Sequence, residues 1–166
     1  MKYTSLLMSG CIAASFLFSS CDKEGPTVST VNITVTNGLT GTASAGATVY
    51  LYDDPDKVNN GAAPAYTLTA DASGKINASV DYIGGYYVTA VNGTQKSFYN
   101  GLLPVGIFKT QAEIDASPVQ NPVATIGSVK FKDVNGDGKI DAADKTVAPV
   151  LYLEMGQTIP YSISVY

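Results

Sequence analysis

The sequence predicts an all-β protein folded as an antiparallel β-sandwich, and three observations lead to this prediction. After Pro26 the apolar residues recur at every second position, which is the pattern of strands with one buried face. Turn residues such as Asn-Gly and Asp-Pro divide the alternating stretches into short runs spaced by roughly ten residues. The chain lacks the regular alternation of strands with long helical segments that a parallel α/β sheet would require.

The alternation assigns a strand to each apolar run in turn. The predicted strands are centred on residues 31–35, 49–51, 66–70, 76–80, 86–91, 96–99, 126–131, 150–153 and 161–165. The residues Asp71 to Gly74 have the composition of a hairpin turn, so the strands on either side of them are expected to pair.

The alternation of apolar residues that predicts strands stops between residues 100 and 122. Within this segment Thr110 and Glu113 have the spacing of a capping box, in which a hydroxyl and a carboxylate accept free N–H groups at a helix start. Pro118 would end such a helix soon afterwards. We expect a helix of one to two turns here, in a segment that otherwise connects two strands.

The composition excludes several kinds of functional site. The chain has 166 residues and contains no His, Arg or Trp, so that all 10 basic residues are Lys. A Ser-His-Asp triad, a His-ligated metal and a bidentate Arg clamp are therefore excluded. The net charge of −4 disfavours nucleic acid as a partner, because proteins that bind it neutralise phosphates with basic residues.

The first 20 residues are predicted to be an export signal. Lys2 is followed by an apolar and small-residue stretch at 6–18, which ends in Ser19, Ser20 and Cys21. This stretch is too short to span a bilayer, which takes about 20 apolar residues. The polar residues after Cys21 then form a linker at 21–27, and residues 28–166 form the predicted β-domain.

The end of the leader resembles the lipobox of bacterial lipoproteins. The residues that carry the resemblance are Leu17 to Ser20, immediately before Cys21. The resemblance implies that Cys21 is acylated and anchors the protein to a membrane, with Cys11 as an alternative that leaves a much shorter apolar region. The acidic cluster Asp22 to Glu24 resembles that of Bacteroidetes surface lipoproteins, which implies the outer membrane, facing the cell exterior.

The segment 45–99 resembles transthyretin-like or carboxypeptidase-regulatory-like repeats of bacterial envelope proteins. The matching residues are the strand Gly46 to Leu51, the turn Asp71 to Lys75 and the strand Gly85 to Val88. The resemblance implies a prealbumin-like or immunoglobulin-like sandwich. Domains of this kind are mostly non-catalytic appendages, so no enzymatic activity is expected.

Residues 133–144 have the spacing of an EF-hand calcium loop. Side-chain oxygens stand at its positions 1, 3, 5, 9 and 12, and position 7 contributes a backbone carbonyl. The predicted ligands are Asp133, Asn135, Asp137, Lys139 through its carbonyl, Asp141 and Asp144. Gly138 at position 6 permits the sharp turn, and Ile140 at position 8 can pin the loop to the core. Ca²⁺ is therefore the expected ion, because it takes 6–8 oxygen ligands from a chain wound around it.

The same loop resembles a single dockerin repeat. It shares with dockerins an Asp at position 12 and a short exiting helix, expected here at 142–146, while the residues before it alternate like a strand. Dockerins carry two copies of the loop and use paired helices to bind a cohesin. This chain has one copy, so the resemblance implies calcium binding without cohesin recognition.

These features together predict a non-catalytic, lipid-anchored cell-surface module for binding, adhesion or spacing, stabilised by calcium. Its expected partners are the membrane, through acyl chains on Cys21, and an envelope protein or polysaccharide. One alternative is an accessory role in polysaccharide capture or degradation, with exposed tyrosines stacked on sugars. The tyrosines considered are Tyr82, Tyr86, Tyr87 and Tyr99, for which cross-strand packing is the competing explanation.

A second, less favoured alternative is a hydrolase that pairs two carboxylates for acid-base catalysis. The candidate residues are Asp53, Asp54, Asp56, Asp71 and Asp81. They stand beside Pro, Gly and Asn in turn-like sequences, where solvation and turn formation explain them equally well.

Overall fold

The computed structural model describes residues 27–119 and 124–166 of the chain. Within these residues the protein consists mainly of β-strands, with two short α-helices and a short 3-10 helix. The predicted all-β class is therefore confirmed. The export signal predicted at 1–20 lies outside the described residues, as does the linker up to residue 26, which includes Cys21.

Each predicted strand has a counterpart in the structure. The strands are β1 (Val28–Asn37), β2 (Thr48–Tyr52), β3 (Tyr66–Thr69), β4 (Lys75–Asp81), β5 (Gly85–Asn92), β6 (Gln95–Lys96), β7 (Pro104–Ile107), β8 (Val129–Phe131), β9 (Val150–Tyr152) and β10 (Thr158–Val165). The helices are α1 (Pro55–Asn59), α2 (Gln111–Asp115) and the 3-10 helix Ala142–Asp144. Strand β7 is additional, and its short Pro-Val-Gly-Ile sequence explains why no strand is predicted there.

The strands of the described residues form three sheets. Sheet A has the order β10-β1-β4, sheet B has the order β3-β2-β5-β6 with β9 also paired to β5, and sheet C is the pair β7-β8. Sheets A and B share one cluster of buried side chains, contributed by alternate residues of their strands. Sheet A supplies Val31, Ile33, Val35, Ile76, Val80, Ile163 and Val165, and sheet B supplies Val49, Leu51, Tyr86, Val88, Ala90 and Leu151.

Strand β10 departs from the predicted antiparallel arrangement, because it pairs with β1 in parallel. The route of the chain explains this. The turn after β9 returns to the end of the sandwich at which β1 begins, where Gly156 donates its N–H to the carbonyl of Val28 (3.1 Å). From that point β10 can lie beside β1 only by running in the same direction. Apolar alternation along a strand contains no information about this direction.

The edge of β10 away from β1 is paired at its end, where Tyr166 and Lys96 exchange backbone hydrogen bonds (3.0 and 3.1 Å), and Pro160 protects it further along. The amide of Thr30 donates to the carbonyl of Gln157 and that of Gly38 donates to Val165, so the odd-numbered residues of β10 face β1. The backbone of Pro160 therefore faces outward, and it has no N–H to offer. A proline in this position disfavours the addition of a further strand from another chain.

The turn at residues 71–74 corrects a second prediction, because it does not close a hairpin. Strand β3 belongs to sheet B and β4 belongs to sheet A, so the two do not pair. The N–H of Ala70 donates to the carbonyl of Ala47, just before β2 of sheet B (2.8 Å), whereas the carbonyl of Gly74 accepts from Val35 in sheet A (2.7 Å). The turn carries the chain from sheet B to sheet A. Its composition is compatible with a hairpin turn and with a crossing between sheets.

Residues 97–149 form an insert between β6 and β9, and this insert contains sheet C and α2. The hydroxyl of Thr110 accepts the N–H of Glu113 at 3.2 Å, so the helix predicted from the capping-box spacing is confirmed. The Glu113 carboxylate in turn accepts the backbone N–H of Lys109 (3.0 Å) and the ammonium of Lys130 (2.9 Å). These contacts fasten α2 to strand β8.

Candidate calcium loop

The predicted calcium loop, residues 133–144, connects sheet C to the sandwich. It begins shortly after β8 and ends with the 3-10 helix, ahead of β9. The residues that precede it are a strand, as the sequence predicts. The exiting helix Ala142–Asp144 is a single 3-10 turn and is shorter than the predicted helix at 142–146.

Asp133, at position 1, organises the first half of the loop through both carboxylate oxygens. Its Oδ1 accepts the N–H of Gly136 (2.7 Å), and its Oδ2 accepts the N–H of Gly138 (2.8 Å). Both glycines have positive φ angles, +74° and +81°, which other residues adopt only at a cost. The sharp turn predicted at Gly138 is present, and Gly136 provides a second one that the spacing does not predict.

Asn135 and Asp137 continue the same pattern. Oδ1 of Asn135 accepts the N–H of Asp137 (3.0 Å), and Oδ1 of Asp137 accepts the N–H of Lys139 (2.9 Å). The two side chains also meet directly, with 3.1 Å between the Asn135 amide nitrogen and Oδ2 of Asp137. Both are exposed, as is the Lys139 side chain. Successive short turns thus wind the chain, and the charge of Lys139 lies in solvent.

Asp144, at position 12, is fully buried and joins the two ends of the loop. Its Oδ1 accepts the N–H of Val134 and its Oδ2 accepts the N–H of Asp141, both at 2.8 Å. The hydrogen bonds from Asp141 and Val134 hold the pKa of the Asp144 carboxyl below its usual range, because they favour the charged form. The position-12 side chain is therefore an ionised carboxylate at neutral pH.

Asp141 and Ile140 complete the loop. The Asp141 carboxylate accepts the N–H of Ala143 (2.7 Å) and so begins the 3-10 helix. Ile140 is half-buried and lines an apolar cavity of about 380 Å³, together with Phe108 and Phe131 of the insert. Position 8 thus faces other apolar residues of the same insert and does not join the core cluster shared by sheets A and B, where the sequence predicts its contact.

The donor chemistry of the loop suits Ca²⁺. Its side chains offer carboxylate and amide oxygens, which are the ligands that calcium prefers. An oxygen that accepts one N–H keeps a second lone pair for a cation. The described residues nevertheless contain no group of three or more His, Cys, Asp or Glu side chains placed to share one metal ion. Convergence of the loop carboxylates on a single ion therefore stays a prediction.

The tyrosines considered for sugar stacking occupy different environments. Tyr86 is 2% exposed, its hydroxyl donates to the carbonyl of Asp81 (2.9 Å), and its ring meets that of Tyr66 edge-on at 5.7 Å. Tyr99 is half-buried and donates its hydroxyl to the carbonyl of Tyr166. Tyr86 is thus a core residue that cannot stack on a ligand at the surface, and the competing explanation of internal packing is correct for it.

Three of the aspartates considered for catalysis have local structural contacts. The Asp53 carboxylate binds the ammonium of Lys57 at 2.7 Å, and this hydrogen bond lowers the pKa of Asp53. Asp54 accepts the N–H of Asp56 and caps α1. Asp71 accepts N–H groups within the turn at 71–74. These side chains therefore take part in helix capping, turn formation and a surface ion pair.

Within residues 27–119 and 124–166, no helix combines the length and apolar character needed to cross a membrane.

The sequence matches no protein-family model and no curated protein.

Proposed function

We propose that this protein is a non-catalytic, lipid-anchored module of the bacterial cell surface, used for adhesion, binding or spacing and stabilised by one calcium ion. The observation that carries the proposal is the winding of residues 133–144, in which Asp133 and Asp144 bind backbone N–H groups across the loop. The finer fold assignment, a prealbumin-like or immunoglobulin-like sandwich with an EF-hand-like loop, belongs to the same proposal.

In this proposal six positions would hold the ion. They are the side chains of Asp133, Asn135, Asp137, Asp141 and Asp144 and the backbone carbonyl of Lys139. A divalent cation would neutralise the mutual repulsion of the four carboxylates, and ligation would fix the spacing between the two ends of the loop. The ion would serve structure rather than chemistry, and a weak site of the extracellular class, with a Kd of about 10⁻⁴ to 10⁻³ M, would suffice outside the cell.

The position of the loop explains why such an ion would matter for the whole domain. After the loop, the N–H of Thr146 donates to the carbonyl of Gly101 (2.9 Å), and the carbonyl of Pro149 accepts from Val88 in β5 (2.8 Å). Leu151 then enters the main core. A rigid loop would reduce the entropy that the chain loses when β9 docks on β5.

Calcium titration of the purified protein by calorimetry is expected to show a single site in this weak range. Asp133→Ala and Asp137→Ala are expected to abolish the heat of binding, because each removes a charged ligand. Addition of calcium at 100 times Kd is expected to stabilise the folded state by about 2.7 kcal/mol, measured by thermal unfolding.

Asp115→Ala is the matched control for the titration, because Asp115 is exposed on α2 and lies outside the loop. It removes the same charge and should leave calcium binding unchanged. A parent protein without binding heat, or loop variants that bind as well as Asp115→Ala does, would refute the calcium site.

Anchoring at Cys21 is tested separately in a bacterial host that processes lipoproteins. Cys21→Ser is expected to abolish incorporation of labelled fatty acid and to move the protein out of the membrane fraction. The control is Cys11→Ser, which keeps the lipobox and should still be labelled. Labelling that depends on Cys11 and not on Cys21 would overturn the assignment of the anchor.

A further inference from the structure

Exposed apolar side chains gather at the end of the sandwich where the described chain enters. We call these five residues the entry patch: Val28, Tyr82, Ile83, Tyr152 and Met155, with exposed fractions of 44, 37, 49, 74 and 49%. They come from the start of β1, the segment between β4 and β5, the end of β9 and the turn before β10. Such an arrangement is unusual, because apolar residues at the loops of a monomeric domain are normally scattered singly.

Backbone hydrogen bonds hold these segments together. The N–H of Tyr82 donates to the carbonyl of Thr27 (2.8 Å), which ties the β4-β5 segment to the chain entry. The N–H of Gly156, next to Met155, donates to the carbonyl of Val28 (3.1 Å). Tyr152 lies opposite Gly85 in the β5-β9 pair, beside the same segment. The entry patch is therefore built from four segments of chain with a defined relative position.

The opposite end of the sandwich has a different character. Its turns lie at residues 38–42, 71–74 and 93–94 and consist mainly of Gly, Thr, Asp, Ser and Ala. The large apolar residue exposed there is Leu39, with an exposed fraction of 44%. The two ends thus differ in polarity, although both are made of turns that connect strands of the same two sheets.

We infer that the entry patch rests on the surface of the membrane to which the protein is anchored. The inference depends on the proposed anchoring at Cys21, which precedes Thr27 by six residues. At about 3.3–3.6 Å per residue, this linker spans at most roughly 20 Å. The entry end therefore stays close to the lipid, whereas the polar end faces away from it.

The composition of the entry patch suits the interface of a bilayer. Tyrosine concentrates at the headgroup level because its ring is apolar and its hydroxyl is polar, and aliphatic side chains next to it can enter the acyl boundary. Charged residues at this end of the sandwich include the exposed acids Asp81 at the end of β4 and Glu154 after β9, and the Asp53–Lys57 ion pair just after β2. The contact is therefore with a zwitterionic lipid surface, since anionic headgroups would be repelled.

The absence of Trp from the chain allows a direct test with a single introduced fluorophore. The full, acylated chain is prepared as Ile83→Trp, Met155→Trp and the control Leu39→Trp, and each is reconstituted on phosphatidylcholine vesicles. In the two patch variants the Trp emission is expected to shift to shorter wavelength and to be quenched by brominated phosphatidylcholine. Leu39→Trp should show neither change, and replacing part of the lipid with phosphatidylglycerol should weaken the quenching in the patch variants.

Flotation of the vesicles separates the two proposals. Variants that float with the lipid but show equally low quenching at all three positions would overturn the membrane contact and leave the anchor intact. Protein that does not float would refute the anchor, and the membrane contact with it. A blue shift that appears without lipid and grows with protein concentration would assign the patch to contact between copies of the protein, and would also overturn the inference.

Discussion

Replacing Tyr86 with alanine is expected to lower the free energy of unfolding by about 3–5 kcal/mol, the range measured for buried aromatic residues. Tyr86 lies between β2 and β9 on the central strand of sheet B and is among the largest fully buried side chains. Its removal would leave a cavity beside Tyr66 and Leu151, on the strand that holds β9. Since domains are stable by about 5–15 kcal/mol, this variant would be close to unfolding in urea denaturation.

Tyr86→Phe distinguishes the contribution of the ring to stability from that of the hydroxyl. It keeps the packing and removes one hydrogen bond, to the carbonyl of Asp81, so a loss of only about 1 kcal/mol is expected. Burial raises the pKa of the Tyr86 hydroxyl, which keeps the folded state protonated when the unfolded chain ionises. The parent should therefore lose stability as pH rises above about 10, and Tyr86→Phe should lose less. Equal losses for the Ala and Phe variants would contradict the core position of the ring.

Gly74→Ala is expected to be the second most destabilising change. Gly74 has a φ of +71°, and a Cβ placed there would lie 2.5 Å from the carbonyl oxygen of Val35 and 3.0 Å from the amide nitrogen of Ser44. The left-handed conformation costs a residue with a side chain about 1–2 kcal/mol. The clash with the backbone of sheet A adds a further loss of about 1–3 kcal/mol, the range for overpacked sites.

Gly46→Ala is the control for the conformational part of this loss. Gly46 has nearly the same φ, +69°, but a Cβ there would meet no atom within 4 Å. Urea denaturation of both variants should show a clearly larger loss for Gly74→Ala. Similar losses would mean that the close approach of the turn at 71–74 to β1 does not contribute to the free energy of unfolding.

Features that depend on neighbouring residues along the chain were predictable from the sequence. The alternation of Val31, Ile33 and Val35 places β1 correctly, because a strand with one buried face needs an apolar residue at every second position. Thr110 and Glu113 predict α2 for a similarly local reason, since a helix start needs acceptors for its first N–H groups. The turn at Gly138 also follows from spacing within a single loop.

Features that depend on distant partners were not predictable in this way. The apolar pattern of β10 is the same for parallel and antiparallel pairing. The direction follows from the route of the chain, which begins β10 beside the start of β1. Tyr86 and Tyr87 are adjacent and chemically identical, yet the pleat places Tyr86 in the core and leaves Tyr87 half-buried on the other side of the sheet. The members of the entry patch are single apolar residues beside turns, so they give no signal until the fold brings them together.

The sequence by itself therefore determined the all-β class and the positions of every strand except β7, because each depends on periodicity within a short stretch. Only the tertiary structure decided the direction of β10, the crossing between sheets at 71–74 and the burial of Asp144. These depend on which backbone groups and side chains meet across long separations in the chain. These long-range contacts depend on how the two sheets pack as a whole, and the composition of a short stretch of sequence does not specify them.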